Sequence, residues 1–393
     1  MRRGVSTVVV AVAAVVGVAT VVGCGSTAST SATTPVATSP ASSSTISTAP
    51  AATSAPASPA SAAPTPAPTT TAPAPVTVAP TTEAPTTTVQ ALTGMWQSAD
   101  VGADLFLTVS CTAGNFCVAI NQLDDAYVYD GSSWGPPTLA DAPYNVNAVS
   151  CASPTMCVVT DIQGGYSVFD GSAWSSREDV STGRRSDGLD GVACPTTTFC
   201  MAVTDTGAAF TFDGRAWSEP TMMDPPAAAA VDAINAGGSV ELPVLHLSCS
   251  SAQFCMVVDN LGSAIPYVNG TWGAPATLDS GVAPNQLAAV SCPADVFCMA
   301  TESGSTYFTF DGSTWSPAQT AGQIDFGPLA CSSSVFCMTT GGYWAVFDGT
   351  AWTSSAGSDA NGQGPSQSFS LACTPDRFCV SGGAYASIGI YAP

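Results

Sequence analysis

Fourteen of the chain's fifteen cysteines form seven pairs of one spacing, Cys-x5-Cys, that recur about every 43 residues along the last three quarters of the sequence. The pairs are Cys111 with Cys117, Cys151 with Cys157, Cys194 with Cys200, Cys249 with Cys255, Cys292 with Cys298, Cys331 with Cys337, and Cys373 with Cys379. In the general pattern an aromatic residue stands twelve positions after the second cysteine, followed by Asp-Gly and a tryptophan. Self-similarity at this period marks a solenoid, propeller or array of units, none of which buries its core alone.

The second unit shows what each repeat contains. It reads Asn145 to Cys151, then Cys157 to Asp161, Gly164 to Phe169, and Asp170-Gly-Ser-Ala-Trp174. Short alternating runs of Val, Tyr and Phe, bounded by Ser, Pro, Gly and Asp, predict strands joined by tight turns. Four strands result, A to D: A ends at the first cysteine, B starts at the second, C ends at the aromatic and D carries the tryptophan. Asp-Gly at the C–D junction is a hairpin signal, because glycine accepts the positive φ such turns need. Four antiparallel strands at this length match a β-propeller blade. The cysteine-to-tryptophan distance holds at 17 and drops to 15 only in the sixth unit, whereas tryptophan to the next cysteine ranges from 15 to 32. The blade body is therefore fixed, and the inter-blade connections vary.

The ends predict how the ring closes. The seventh unit stops after Tyr391 without a tryptophan strand, while Thr93-Gly94-Met95-Trp96 precedes the first cysteine pair and matches Asn269-Gly270-Thr271-Trp272. The expected fold is all-β: a seven-bladed propeller over residues 92–393, its last blade completed by the N-terminal strand, leaving no open sheet edge.

Three chemistries suit the cysteine pairs. Seven disulfides, each across an A–B hairpin, fit an exported protein and contribute about 2 kcal/mol apiece. Zinc favours closer spacing and ligands drawn from two pairs, which blades hold apart. Redox catalysis uses Cys-x2-Cys at one site. Structural disulfides are the expected reading.

Ahead of the repeats, Arg2 and Arg3 precede an apolar run from Val5 to Val22 that ends Val21-Val22-Gly23-Cys24. A charged start, an apolar stretch and small residues before the cut predict a signal peptide over 1–23. The ending resembles bacterial lipoprotein signals, which implies acylation of Cys24 and accounts for the unpaired fifteenth cysteine. An uncleaved membrane anchor is the alternative. Both place the remainder outside the cytoplasm, the first on the outer face of the cell membrane. Residues 24–91 are almost entirely Ala, Thr, Ser, Pro and Val with one charge, Glu83, a composition that predicts a disordered tether. Beyond it the chain has no lysine and five arginines, and the whole carries a net charge of −21. That field repels phosphate backbones and excludes nucleic-acid partners.

Over residues 92–393 the Ser-Cys-x5-Cys…Asp-Gly-x-x-Trp units resemble exported β-propeller repeats of bacteria. Asp130, Asp170, Asp213, Asp311 and Asp348 also resemble the Asp-box of sialidase-like propellers, but there one residue separates Asp from Gly, and even there the motif is a blade-turn feature. The expected role here is the turn. His246, the only histidine, is read as a strand or channel-wall residue, since no second histidine or nucleophile motif accompanies it. Asp161, Asp205, Asp259 and Glu302 follow strand B, where side-chain turn capping needs less assumption than a calcium site.

The candidate binding residues are Arg184 and Arg185, a basic pair in an inter-blade loop, Met222 and Met223 at the start of the longest insertion, and His246. No metal or cofactor is expected. The expected function is an extracytoplasmic binding or scaffold module that takes a cell-wall glycan, peptide or protein on the loop face or in the central channel. The competing expectation is an exported propeller-type hydrolase or lyase acting on a carbohydrate or lactone.

Overall fold

The computed structural model describes residues 95–100, 105–113, 115–139, 145–180, 188–224, 229, 244–278, 286–341, 344–354, 368–383 and 387–392. Contacts divide the chain into Met1–Ala84 and Pro85–Pro393, and every described residue belongs to the second unit. The expected signal peptide, Cys24 and the tether lie outside the described residues, as do Arg184 and Arg185.

The first strand is β1 (Met95–Asp100). Blade 1 is β2 (Phe106–Thr112), β3 (Phe116–Asn121), β4 (Asp125–Asp130) and β5 (Thr138–Leu139). Blade 2 is β6 (Val146–Ser153), β7 (Met156–Asp161), β8 (Gly165–Phe169) and β9 (Glu178–Asp179). Blade 3 is β10 (Leu189–Thr196), β11 (Phe199–Thr204), β12 (Ala208–Phe212) and β13 (Thr221–Met222). Blade 4 is β14 (Leu245–Ser251), β15 (Phe254–Asp259), β16 (Ser263–Val268), β17 (Thr271–Trp272) and β18 (Ala276–Thr277). Blade 5 is β19 (Leu287–Ala294), β20 (Phe297–Glu302), β21 (Thr306–Phe310) and β22 (Gln319–Thr320). Blade 6 is β23 (Leu329–Ser333), β24 (Phe336–Thr340), β25 (Trp344–Phe347) and β26 (Trp352–Ser354). Blade 7 is β27 (Ser368–Cys373), β28 (Cys379–Gly383) and β29 (Ser387–Ala392), with β1 as its outer strand.

The seven sheets are antiparallel, and their inner strands pack in cyclic order, β2 on β6 and onward to β27, which packs back on β2. The ring closes as the sequence predicts: β1 pairs with β29 along its whole length, with Trp96 opposite Tyr391.

All seven cysteine pairs are disulfides, and each joins the first two strands of its blade. Cys111 is bonded to Cys117, Cys151 to Cys157, Cys194 to Cys200 and Cys249 to Cys255. Cys292 is bonded to Cys298, Cys331 to Cys337 and Cys373 to Cys379. In five blades the two half-cystines sit directly opposite each other across the ladder, Cys111 with Cys117 and Cys249 with Cys255 for example, while in blades 3 and 5 the register shifts at the first cysteine. The second member always lies deeper: Cys117, Cys157, Cys200, Cys255, Cys298, Cys337 and Cys379 are fully buried. Bonded in this way the sulfurs staple the fold, and none of the fourteen is a thiolate that could serve as nucleophile or metal ligand. Seven disulfides fit an oxidising, extracytoplasmic environment.

The outermost strand is shorter than the sequence suggests. In blades 1, 2, 3 and 5 the tryptophan makes only an isolated bridge to the aromatic before it, Trp134 to Tyr129 for example, and two paired residues follow further on. Pro136, Pro137, Pro220 and Pro317 stand in that gap, and proline gives the ladder no N–H. The tryptophans instead pack inward, each against the preceding blade: Trp217 joins a core shared by blades 2 and 3, Trp352 one shared by blades 5 and 6.

Polar contacts also link blades. The hydroxyl of the serine before the first cysteine accepts the backbone N–H of the next blade's first cysteine: Ser110 from Cys151, Ser150 from Cys194, Ser248 from Cys292 and Ser291 from Cys331, all at 2.9 Å. Ala193, Ala330 and Ala372 hold the corresponding position in blades 3, 6 and 7.

The C–D turns come in two forms. Gly131 (φ +95°) is the first central residue of its turn, the place type II′ hairpins reserve for glycine. Asp130 Oδ1 accepts the N–H groups of Ser132 and Ser133 and the Ser132 hydroxyl, and these bonds hold its carboxyl below the ordinary range. Asp170, Asp213, Asp311 and Asp348 repeat this, confirming turn carboxylates. In blade 4 the motif moves one residue, and Asn269 and Gly270 both take positive φ, +49° and +87°, as a type I′ turn requires.

Candidate functional site

The B–C turns and the incoming inter-blade loops share one face of the ring, bound together by backbone hydrogen bonds such as Gln122 N–H to Leu105 and Leu278 N–H to Gly262. Asn121, Asp161 and Asp259 close these turns by accepting the N–H groups two and four residues on, at 2.7–2.9 Å. Asp161 also takes the guanidinium of Arg177, at 2.5 Å from Nε. Turn capping thus accounts for Asp161 and Asp259, and among the described residues no group of three or more His, Cys, Asp or Glu is arranged to hold a metal ion. Asp124, a turn residue of blade 1, reaches across to accept Asn145 and Val146 N–H at the start of blade 2.

On the same face opens the axial cavity, about 520 Å³, to which the inner strands of all seven blades contribute. Its mouth is shaped by one-residue bulges in five of them, at Leu107, Asn147, Asp190, Ala288 and Phe369. Bulges of this kind re-aim a side chain without disturbing the ladder beyond them. In blade 4 no extra residue occurs there, and His246 pairs directly with Val258. His246 lines the cavity as a channel-wall histidine, as the sequence suggests, and burial lowers its pKa. Asp190, beside it on blade 3, is pushed up to about 7, first by burial and then by the charge of Asp205, against the opposing effect of the Leu245 N–H. The mouth therefore holds a carboxyl that changes charge near neutrality, next to an imidazole kept neutral.

Exposed apolar side chains collect on the face that holds this mouth. Of the ten exposed large apolar side chains among the described residues, six are on this face: Leu107, Leu123, Ile162, Val244, Leu261 and Phe369. Leu123 is 58% exposed at a turn tip and Phe369 is 50% exposed on its bulge, places where water contact favours polar residues. Of the methionine pair, Met222 is 51% exposed at the edge of blade 3, while Met223 is 4% exposed and packs with Leu245, Val257 and Ile265 between blades 3 and 4. The structure thus gives Met223 a core position. The bulge residues escape sequence reasoning, because one extra residue is invisible until the A and B strands are aligned; the signal is the varied distance from the first core residue to the cysteine, five in blade 3 and four in blade 4.

Fold and site together define a seven-bladed β-propeller, stapled blade by blade, with an axial cavity that opens at its loop face. No protein family matches the sequence, and no curated protein does either. Solved structures do. YCF48 from Cyanidioschyzon merolae aligns over 76% of this chain and 99% of its own with a TM-score of 0.57 at 14% identity. A structure of YCF48 bound to D1 peptide aligns over 76% and 97%, with a TM-score of 0.56 and 14% identity. At that identity the likeness is one of fold.

Proposed function

We propose that this propeller is an extracytoplasmic binding or scaffold module, held to the outer face of the cell membrane through a lipid on Cys24, that docks a peptide or protein segment on its loop face. The gathering of six exposed apolar side chains on the face that holds the axial mouth carries this reading, because apolar side chains collected on one face favour docking there. Asp190 supplies a polar anchor at the centre, and the disulfides keep the platform rigid, which lowers the ordering cost of binding. A structural neighbour with a bound peptide supports the choice of ligand class among the glycan, peptide and protein partners the sequence leaves open. The tether of residues 24–91 would give the ring reach from the membrane.

The test is selection of a random peptide library on the immobilised, oxidised protein. Enriched peptides should lose affinity at least about tenfold with Phe369→Ser or Leu123→Ser, while Met222→Ser at the outer edge leaves it unchanged. Peptides indifferent to both face substitutions, or no enrichment at all, would overturn the reading. Metabolic labelling with a fatty acid, lost on Cys24→Ala, tests the anchor separately.

A further inference from the structure

Between blades 4 and 5, on the outer side of the ring, lies a groove of about 660 Å³, within the ~300–1,000 Å³ span of small-molecule sites. Ala264 and Pro266 of blade 4 help to line it. Three residues before the strand-C aromatic, blades 2 and 5 carry Tyr166 and Tyr307, whose rings reach the next blade's tryptophan, Trp217 at 5.7 Å and Trp352 at 6.1 Å. Blade 4 has Ala264 in that place, as blades 1 and 3 have Ala126 and Ala209, and here the indole of Trp315 lines open space. A second change accompanies it. In blades 2, 3 and 5 the N–H of Val168, Thr211 and Thr309 is held by the hydroxyl of Ser175, Ser218 and Ser316 at 3.0 Å. Blade 4 alters both partners: Pro266 has no N–H, Gly273 has no hydroxyl, and a Cβ on Gly273 would come within 2.9 Å of the Pro266 ring. Both changes leave an apolar wall at Pro266 beside an aromatic floor.

The rim differs in character. Gln253, Asn269, Thr277 and Asp295 surround the floor, all exposed, with the Asp295 carboxylate oriented by the Ser250 hydroxyl at 2.6 Å. Side-chain amides both donate and accept, and a carboxylate only accepts. The matching ligand has a flat apolar face and an edge of groups that donate as well as accept. We propose that this groove binds a pyranose residue of a glycan, one sugar face against Trp315 and its hydroxyl edge toward Gln253, Asn269 and Asp295. A neutral ligand also suits a chain of net charge −21, which repels anions. A proline-rich peptide fits an aromatic groove by shape, but it offers carbonyl acceptors and few N–H groups to donate to Asp295.

The site lies away from the loop face and can be tested independently of it. Chitotriose, mannotriose, maltotriose and xylotriose are titrated against the full oxidised chain, followed by saturation-transfer NMR. At least one trisaccharide should bind. Ala264→Tyr, which fills the groove as Tyr166 and Tyr307 fill theirs, should weaken it about tenfold or more, and Gln253→Ala, a change at an exposed side chain that leaves folding intact, about threefold. The proposal is overturned if none of the four binds, if affinity is unchanged in Gln253→Ala and in every folded groove-filling variant, or if a peptide of residues 60–75 occupies the groove and the sugars do not.

Discussion

The serine that precedes a first cysteine bonds a strand belonging to the next blade, so its removal should weaken the ring rather than its own hairpin. In Ser110→Ala the Cys151 N–H loses its acceptor in a contact that is buried on both sides, Ser110 being 9% and Cys151 7% exposed. A buried donor left without a partner costs about 1–3 kcal/mol. For a unit near 300 residues, roughly 2 °C of melting temperature corresponds to each kcal/mol, so a fall of about 2–6 °C is expected. The reverse change is equally informative. Ala193 holds the serine position in blade 3, facing the blade whose first cysteine is Cys249, and Ala193→Ser should raise the midpoint by about 1–3 °C as it supplies a hydroxyl worth ~1 kcal/mol. Differential scanning calorimetry of the unreduced protein measures both, with Ser176→Ala, an exposed serine, as the control. Equal midpoints for Ser110→Ala and the control would refute the claim that these hydroxyls couple neighbouring blades.

Two pH effects follow from the carboxyls. Asp190 titrates near 7 in the folded chain and near 4 when unfolded, so the folded state holds the proton more tightly and stability falls as pH rises from about 4 to 7; Asp190→Asn should therefore raise the melting temperature at pH 8 and change it little at pH 4. The turn aspartates act in the opposite sense: Asp311 is lowered to about 2 by N–H and hydroxyl donors, so its contribution is present above about pH 4 and is lost as pH falls toward 2. Asp311→Ala should flatten the acid limb of a stability–pH curve, and an unchanged limb would show that these bonds do not persist in solution.

Much of this architecture is written in the spacing of the chain. The Asp-Gly signal, the disulfide pairs and the match of Trp96 to Tyr391 are local or periodic features, and each appears in the structure as the sequence implies. What escapes is whatever depends on a neighbour some 40 residues away. The serine before each cysteine is visible, but its partner belongs to another blade. Ala264 is unremarkable by itself, since Ala126 and Ala209 hold the same place, and its groove is seen only once Trp315 of the next blade is set beside it. The bulges at Leu107 and Phe369 add one residue to strands whose buried positions are otherwise ordinary, so periodicity alone passes over them.

The closure of blade 7 also has a mechanical side. β1 carries no cysteine, and its pairing with β29 begins at Met95 opposite Ala392, the end joined to everything that precedes the ring. A load applied through that segment reaches the Met95 pair first and opens the ladder one pair at a time, as a zipper opens, before any stapled hairpin bears strain. The strand that completes the propeller is thus the one part of its ring closure that no disulfide secures, and pulling on the chain from its N-terminal side would detach it while the six other blades keep their shape.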